Sequence, residues 1–179
     1  MYHSVVQRRW GGDRPTDAKE RLVDAAEACF DRLGLARTTI DDVAREAHVS
    51  RATVYRHVRD RDELVLAVFA READRFLERM TSAGARSILD GIVFAVRQVP
   101  AQPRLMEILR AAPLGAWDVG MERALARLGP QLGGDAEAVE WVLRTVLSLL
   151  TIPVEHSDDE LRAFLERFLL AGLPVAVRR

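Results

Sequence analysis

Apolar residues recur along this chain at intervals of three and four, and no stretch sustains an alternation of two. That pattern places successive apolar side chains on one side of a helix and on neither face of a strand. Leu22, Val23, Ala26, Cys29, Phe30 and Leu33 form a first stripe, opened by a cap at Thr16 or Asp17 and closed by Gly34. Thr38 or Thr39 opens a second helix carrying Ile40, Val43, Ala44 and Ala47. Ser50 caps a short third, which ends near Val58. A fourth starts at Asp60 or Asp62, carries Leu64, Val65, Val68, Phe69, Phe76 and Met80, and stops at Ser82 to Gly84. Five more fit the remainder: roughly 86–99, stopped by Pro100 and Pro103; 104–112, before Pro113; about 119–128, before Gly129-Pro130; 135–151, capped by Asp135 and ended by Pro153; and 157–171. The last opens with Ser157 and Glu160, a capping box. No Asn-Gly or Asp-Gly turn joins two strand-like runs. The fold class expected is all-α.

The 179 residues are 49% apolar and 30% charged, which is enough for one or two packed domains and too apolar for a disordered chain. The longest apolar candidate for a membrane span, Val142 to Val154, is interrupted by Arg144 and Pro153. Residues 1–15 carry Arg8, Arg9 and Arg14 with no apolar stretch behind them, so they do not read as a secretory leader. With Gly11, Gly12 and Pro15 they read as a flexible arm, and the expected location is the cytoplasm. The single cysteine, Cys29, excludes an internal disulfide and any multi-cysteine metal site, and its place on an apolar stripe makes it a packing residue. No G-x-S-x-G, H-E-x-x-H, Walker or G-x-G-x-x-G motif is present. Asp158, Asp159 and Glu160 fall in the first turn of a helix, where the dipole favours negative charge without any catalytic role. Neither an enzyme nor a cofactor or metal is expected.

Net charge is −1, yet Arg51, Arg56, Arg59 and Arg61 crowd one short stretch against Asp60 alone. A nucleic-acid binder needs such a local footprint rather than a basic chain. The footprint coincides with a motif running from Thr39 to Val58. Its first helix buries Ile40, Val43 and the small Ala44, which permits close approach of a second helix. A turn at His48-Val49 follows and requires a residue that tolerates positive φ. Ser50 then caps a second helix on which Val54 and Val58, four apart, face inward. Arg51, Ala52, Thr53, Tyr55, Arg56 and His57 are left outward. Hydroxyl, cationic and small apolar groups together supply the chemistry of major-groove reading and phosphate anchoring.

The stretch from Thr38-Thr39-Ile40-Asp41-Asp42-Val43-Ala44 through Val54-Tyr55-Arg56-His57-Val58-Arg59-Asp60-Arg61-Asp62-Glu63-Leu64 resembles the DNA-binding domain of the tetracycline-repressor (TetR) family. The likeness extends over roughly residues 16–70. His48 departs from it, standing where the family usually has glycine; histidine enters left-handed conformations more readily than most residues. The resemblance implies that Thr39, Tyr55, His57 and Arg61 bind phosphate. It also implies that Arg51, Ala52, Thr53 and Arg56 reach bases or adjacent phosphates. The implied partner is double-stranded DNA carrying an inverted-repeat operator.

The same resemblance implies an N-terminal three-helix helix-turn-helix domain, residues 16–60, and a helical effector-binding and dimerisation domain, residues 61–179. In the family the middle helices enclose an effector pocket. Phe94, Met106, Trp117 and Met121, interleaved with Arg97, Gln98 and Arg110, are the candidates here for a small apolar or aromatic effector. The last two helices carry more apolar surface than their own core requires: Val139, Val142, Leu143, Val146, Leu147 and Leu150, then Leu161, Phe164, Leu165, Phe168 and Leu169. A four-helix homodimer interface accounts for it. The expected function is a sequence-specific DNA-binding regulator, a repressor released by its effector. The rivals are a ligand-independent DNA-binding protein of the same fold and a helical enzyme that has adopted it.

Overall fold

The computed structural model describes residues 16–111, 115–152 and 155–173. Within them the chain forms nine α-helices and no strand, as expected for an all-α fold. They are α1 (Thr16–Leu33), α2 (Ile40–Glu46), α3 (Arg51–His57), α4 (Arg61–Ser82), α5 (Ile88–Gln98), α6 (Pro103–Ala111), α7 (Ala116–Leu128), α8 (Ala136–Thr151) and α9 (Asp158–Phe168). Short 3-10 turns at Val99–Ala101, Gly129–Leu132 and Leu170–Gly172 follow α5, α7 and α9. The arm expected over residues 1–15 lies outside the described residues.

Helix starts coincide with side chains that can accept from backbone N–H groups left without a partner. Thr39, Ser87 and Ser157 each accept from the third backbone N–H of their helix, and Asp42, Asp90 and Glu160 return the favour to the cap backbone. Ser50 accepts from Thr53, and Asp135 from Glu137 and Ala138. Such caps each contribute about 1 kcal/mol. Two boundaries depart from the sequence reading. Pro103, taken as the end of the helix before it, is instead the first residue of α6; a first-turn position asks for no N–H and suits the fixed φ of proline. Helix α7 begins at Ala116, a turn before the expected 119, following Gly115 with φ 88°.

The chain divides into two compact units. Among the described residues, one comprises residues 16–70 together with 107–111 and 115–118; the other comprises residues 71–106, 119–152 and 155–173. This division by compactness falls inside α4, and the first unit is discontinuous in sequence. In the first unit α1 packs on α2 and α3 around Leu22, Ala26, Cys29, Val43 and Val54, all buried. In the second, α5 packs on α8 and α9. Ile92, Val139, Val142, Leu161 and Leu165 form the centre of that core. Arg97 of α5 donates to Asp158 at 2.7 Å, and Arg162 of α9 pairs with Asp90 at 2.9 Å.

The apolar stripe on α8 and α9 is thus divided. Val139, Val142, Leu161, Leu165 and Leu169 enter the unit's own core, whereas Trp141, Phe164 and Phe168 stay exposed. No described helix is long and apolar enough to cross a membrane.

Candidate nucleic-acid interface

Helix α3 is short, and its position depends on what anchors it. Val54 is fully buried and Val58, its C-cap, is 1% exposed. Burying each such side chain contributes on the order of 1.5–3 kcal/mol. The turn from α2 into α3 is closed by Val49 N–H donating to the Ala44 carbonyl at 2.9 Å. His48 adopts φ 55°, and among the described residues it is the one non-glycine with positive φ. A histidine therefore takes the left-handed position that a glycine occupies without steric cost.

With Val54 and Val58 inward, Arg51, Ala52, Tyr55 and Arg56 are exposed, and Thr53 and His57 are half-buried. All six outward residues expected from sequence are at least partly open to solvent. Their chemistry is not uniform. Thr53 Oγ1 is 2.9 Å from Ser50 Oγ at the cap. Arg51 donates to the Tyr55 hydroxyl at 3.3 Å and pairs with Asp41 of α2 at the same distance. Arg59 is paired with its neighbour Asp60 at 2.9 Å. Among the described residues Arg56 is the one member of the arginine cluster whose guanidinium has no protein partner. The free cationic footprint is smaller than the count of arginines.

Two residues expected at phosphates are turned to the protein. Thr39 gives its N–H and its hydroxyl to Asp42 Oδ2, at 3.0 and 2.6 Å. That hydroxyl is the main reason the Asp42 carboxyl is held below its ordinary range. Arg61 donates from Nε to the Thr38 carbonyl at 2.9 Å and from Nη2 to the Leu35 carbonyl. It thereby ties the start of α4 to the turn between α1 and α2. The same turn is held by a residue that no sequence pattern singles out. Glu107 of α6 accepts from the Leu35 N–H at 2.8 Å across a separation of 72 residues. Asp41 was also missed. Neither has a local signal, because each partner lies outside the residue's own helix.

The seven effector candidates are divided between the two compact units. Arg110 and Trp117 belong to the first compact unit; Phe94, Arg97, Gln98, Met106 and Met121 belong to the second. Phe94 packs against Phe76 with ring centres 5.5 Å apart, and Met121 packs on the core of its unit. Arg97 is engaged by Asp158 and by the His156 carbonyl, while Gln98 and Arg110 are exposed. A groove of about 460 Å³ lies elsewhere in this unit, on α8 and α9, lined by Trp141, Arg144, Ser148, Phe164 and Phe168 among others. Cys29 is fully buried, and burial raises its thiol pKa, which suits packing rather than reactivity.

The family model for bacterial regulatory proteins of the tetR family matches residues 22–68, the stretch containing α2, the left-handed turn and α3. An uncharacterized HTH-type transcriptional regulator of Mycobacterium tuberculosis is 30% identical over 179 residues, spanning 90% of this chain and 88% of its own length. The HTH-type transcriptional repressor AcnR of Corynebacterium glutamicum is 26% identical over 82 residues, 46% of this chain and 44% of its own. Among solved structures, the multidrug binding protein EbrR complexed with imidazole shares the fold with a TM-score of 0.62 at 21% identity, over 90% of this chain and 92% of its own. Because the likeness to the mycobacterial regulator runs through both compact units and not only the reading helix, the chain belongs to the tetR family of DNA-binding transcriptional regulators.

Proposed function

We propose that this regulator is a cytoplasmic, homodimeric repressor that reads an inverted-repeat operator with α3 and is released from it by a small apolar or aromatic molecule. The observation that carries the reading is the seating of α3. Two buried valines fix the helix, and Arg51, Ala52, Thr53, Tyr55, Arg56 and His57 are left on its outer surface. Arg56 serves as a phosphate anchor, and Tyr55 and His57 flank it. Thr39 and Arg61 act instead through the protein, as the cap of α2 and the tie of the α1–α2 turn. The second copy docks on α8 and α9, where Trp141, Phe164 and Phe168 are exposed together; a soluble monomer seldom leaves so large an apolar patch in water.

The effector site is assigned to the second unit, around Phe94, Met106 and Met121, whose flexible and aromatic side chains repack readily. The complex of EbrR with imidazole supports an aromatic ligand class for this fold. Ligand-independent regulation is the second reading, favoured by the packing of Phe94 and Met121 against their neighbours.

Genomic fragments retained by the purified protein should share an inverted repeat with half-sites about one helical turn, ~34 Å, apart. Arg56→Ala should weaken binding to all of them and lower the salt slope by about 1 per protomer. Unselective retention, or an unchanged slope, rejects the reading helix. Imidazole and larger aromatics are then titrated calorimetrically with and without the recovered operator. An effector binds more weakly when operator is present, by the factor with which it weakens DNA binding. Equal affinities for every compound favour the ligand-independent reading.

A further inference from the structure

Arg51 is the first residue of α3, and its guanidinium is held on two sides. Nη1 lies 3.3 Å from the Asp41 carboxylate. Nη2 donates to the Tyr55 hydroxyl at 3.3 Å, and the guanidinium carbon is 5.5 Å from the centre of the Tyr55 ring. Asp41 belongs to α2, so the contact joins the supporting helix to the reading helix. The pair is open to solvent, with side chains 61% and 55% exposed, and an exposed ion pair adds little to stability. Helix α2 does not need Asp41 for its cap, because Asp42 closes the box with Thr39. What the contact sets is the direction of the arginine and the charge it presents.

Both matter at a DNA surface. An unrestrained guanidinium is drawn to the nearest phosphate, which strengthens binding to every sequence and steepens its salt dependence. A guanidinium held against a carboxylate is locally neutralised, and the carboxylate repels phosphate from the same edge. Of the five N–H donors of arginine, two are taken by Asp41 and Tyr55. The rest still include the two needed for a forked contact with guanine O6 and N7. Arg56 on the same helix has no such partner and supplies the unselective cation.

We propose that Asp41 is a specificity-determining positioning residue, which through Arg51 withholds one cation from the phosphates and directs it to a base edge. The inference rests on α3 being the reading element, and the test separates the two. Full-length wild-type protein and the variants Asp41→Ala, Asp41→Glu, Arg51→Ala and Arg56→Ala are used to select sites from a random-core duplex library. Each is then titrated against the wild-type-selected duplex and an unselected duplex over a range of sodium chloride concentrations, with thermal unfolding midpoints measured alongside.

Asp41→Ala is expected to bind the unselected duplex several-fold more tightly at low salt, with a slope steeper by up to about 1 per protomer. Its preference at one base of each half-site is expected to fall about tenfold, the size of a forked arginine contact. Arg51→Ala loses the same base preference without the gain in unselective affinity. Asp41→Glu, which keeps a carboxylate within reach, restores the wild-type profile. A lowered unfolding midpoint with both duplexes weakened alike, and preference intact, would show a structural role and overturn the proposal. So would a wild-type selection profile in Asp41→Ala while Arg51→Ala loses its base. If neither Arg51→Ala nor Arg56→Ala alters selection or slope, α3 is not the reading element and both readings fall together.

Discussion

Leu35 is held through both of its backbone polar groups, its N–H by Glu107 and its carbonyl by Arg61. Thr38 adds a second carbonyl to the Arg61 tie and returns its own hydroxyl to the Gly34 carbonyl at 2.9 Å. Both Leu35 and Thr38 are buried, so water is a poor substitute for either partner. Arg61→Ala should therefore cost about 1–3 kcal/mol of stability in urea unfolding, the range for orphaned buried acceptors. Its DNA affinity should fall with the folded fraction while the salt slope stays that of the wild type. A lower slope at unchanged stability would return Arg61 to the phosphates. The arginine cluster was legible in the sequence as charge, but its fate was not. Residues 51, 56, 59 and 61 look alike on paper. In the structure they become a carboxylate-held side chain, an unpaired cation, a partner of Asp60 and a backbone clamp. Direction is decided by residues on other helices, which spacing along the chain does not report.

Helices were read more securely than contacts because their signals are local. The cap of α2 at Thr39, that of α3 at Ser50 and that of α9 at Ser157 all stood in the sequence, each within three residues of its partner. Pro103 misled because a proline ends one helix and starts the next with equal ease. The reach of a cap beyond its own helix was not visible either. Asp90 serves Ser87 at the start of α5 and also meets Arg162 of α9. Its carboxyl is held down to about 2, first by the Ser87 hydroxyl, then by the Ser87 backbone and Arg162, against the opposing effect of partial burial. A carboxylate with a depressed native pKa stabilises above its unfolded value and ceases to do so as pH falls through the native one. Asp90→Asn should therefore be less stable than the wild type by a constant margin from neutrality down to about pH 5. The margin should close as pH falls toward about 2. Thermal unfolding of both proteins across that range measures it; a margin that widens in acid would contradict the assignment.

At the scale of the whole molecule, the apolar surface expected on α8 and α9 is divided between the second unit's core and solvent. Val139, Val142, Leu161, Leu165 and Leu169 fill the second unit's own core, Leu143 and Val146 pack at its edge, and Phe164 and Phe168 are exposed together with Trp141, which lies off the stripe. Phe168, 54% exposed, is the substitution of choice because it can be changed without opening the core. Phe168→Glu should sediment as a folded monomer and bind operator far more weakly than the wild type, since one half-site offers one reading helix. A wild-type chain that itself sediments at 20.1 kDa would refute the dimer. The make-up of the first compact unit bears on how this protein can be cut and recombined. Its reading helices lie before Ala70, yet Glu107 belongs to the same unit and arrives only after α5 has been completed. A fragment ended at residue 70 would carry α1, α2 and α3 and lack the acceptor for the Leu35 N–H. Grafting residues 16–60 onto another regulator would transfer α1, α2 and α3 while leaving behind Arg61 and Glu107, which hold the turn between the first two, so the three helices are not a portable cassette.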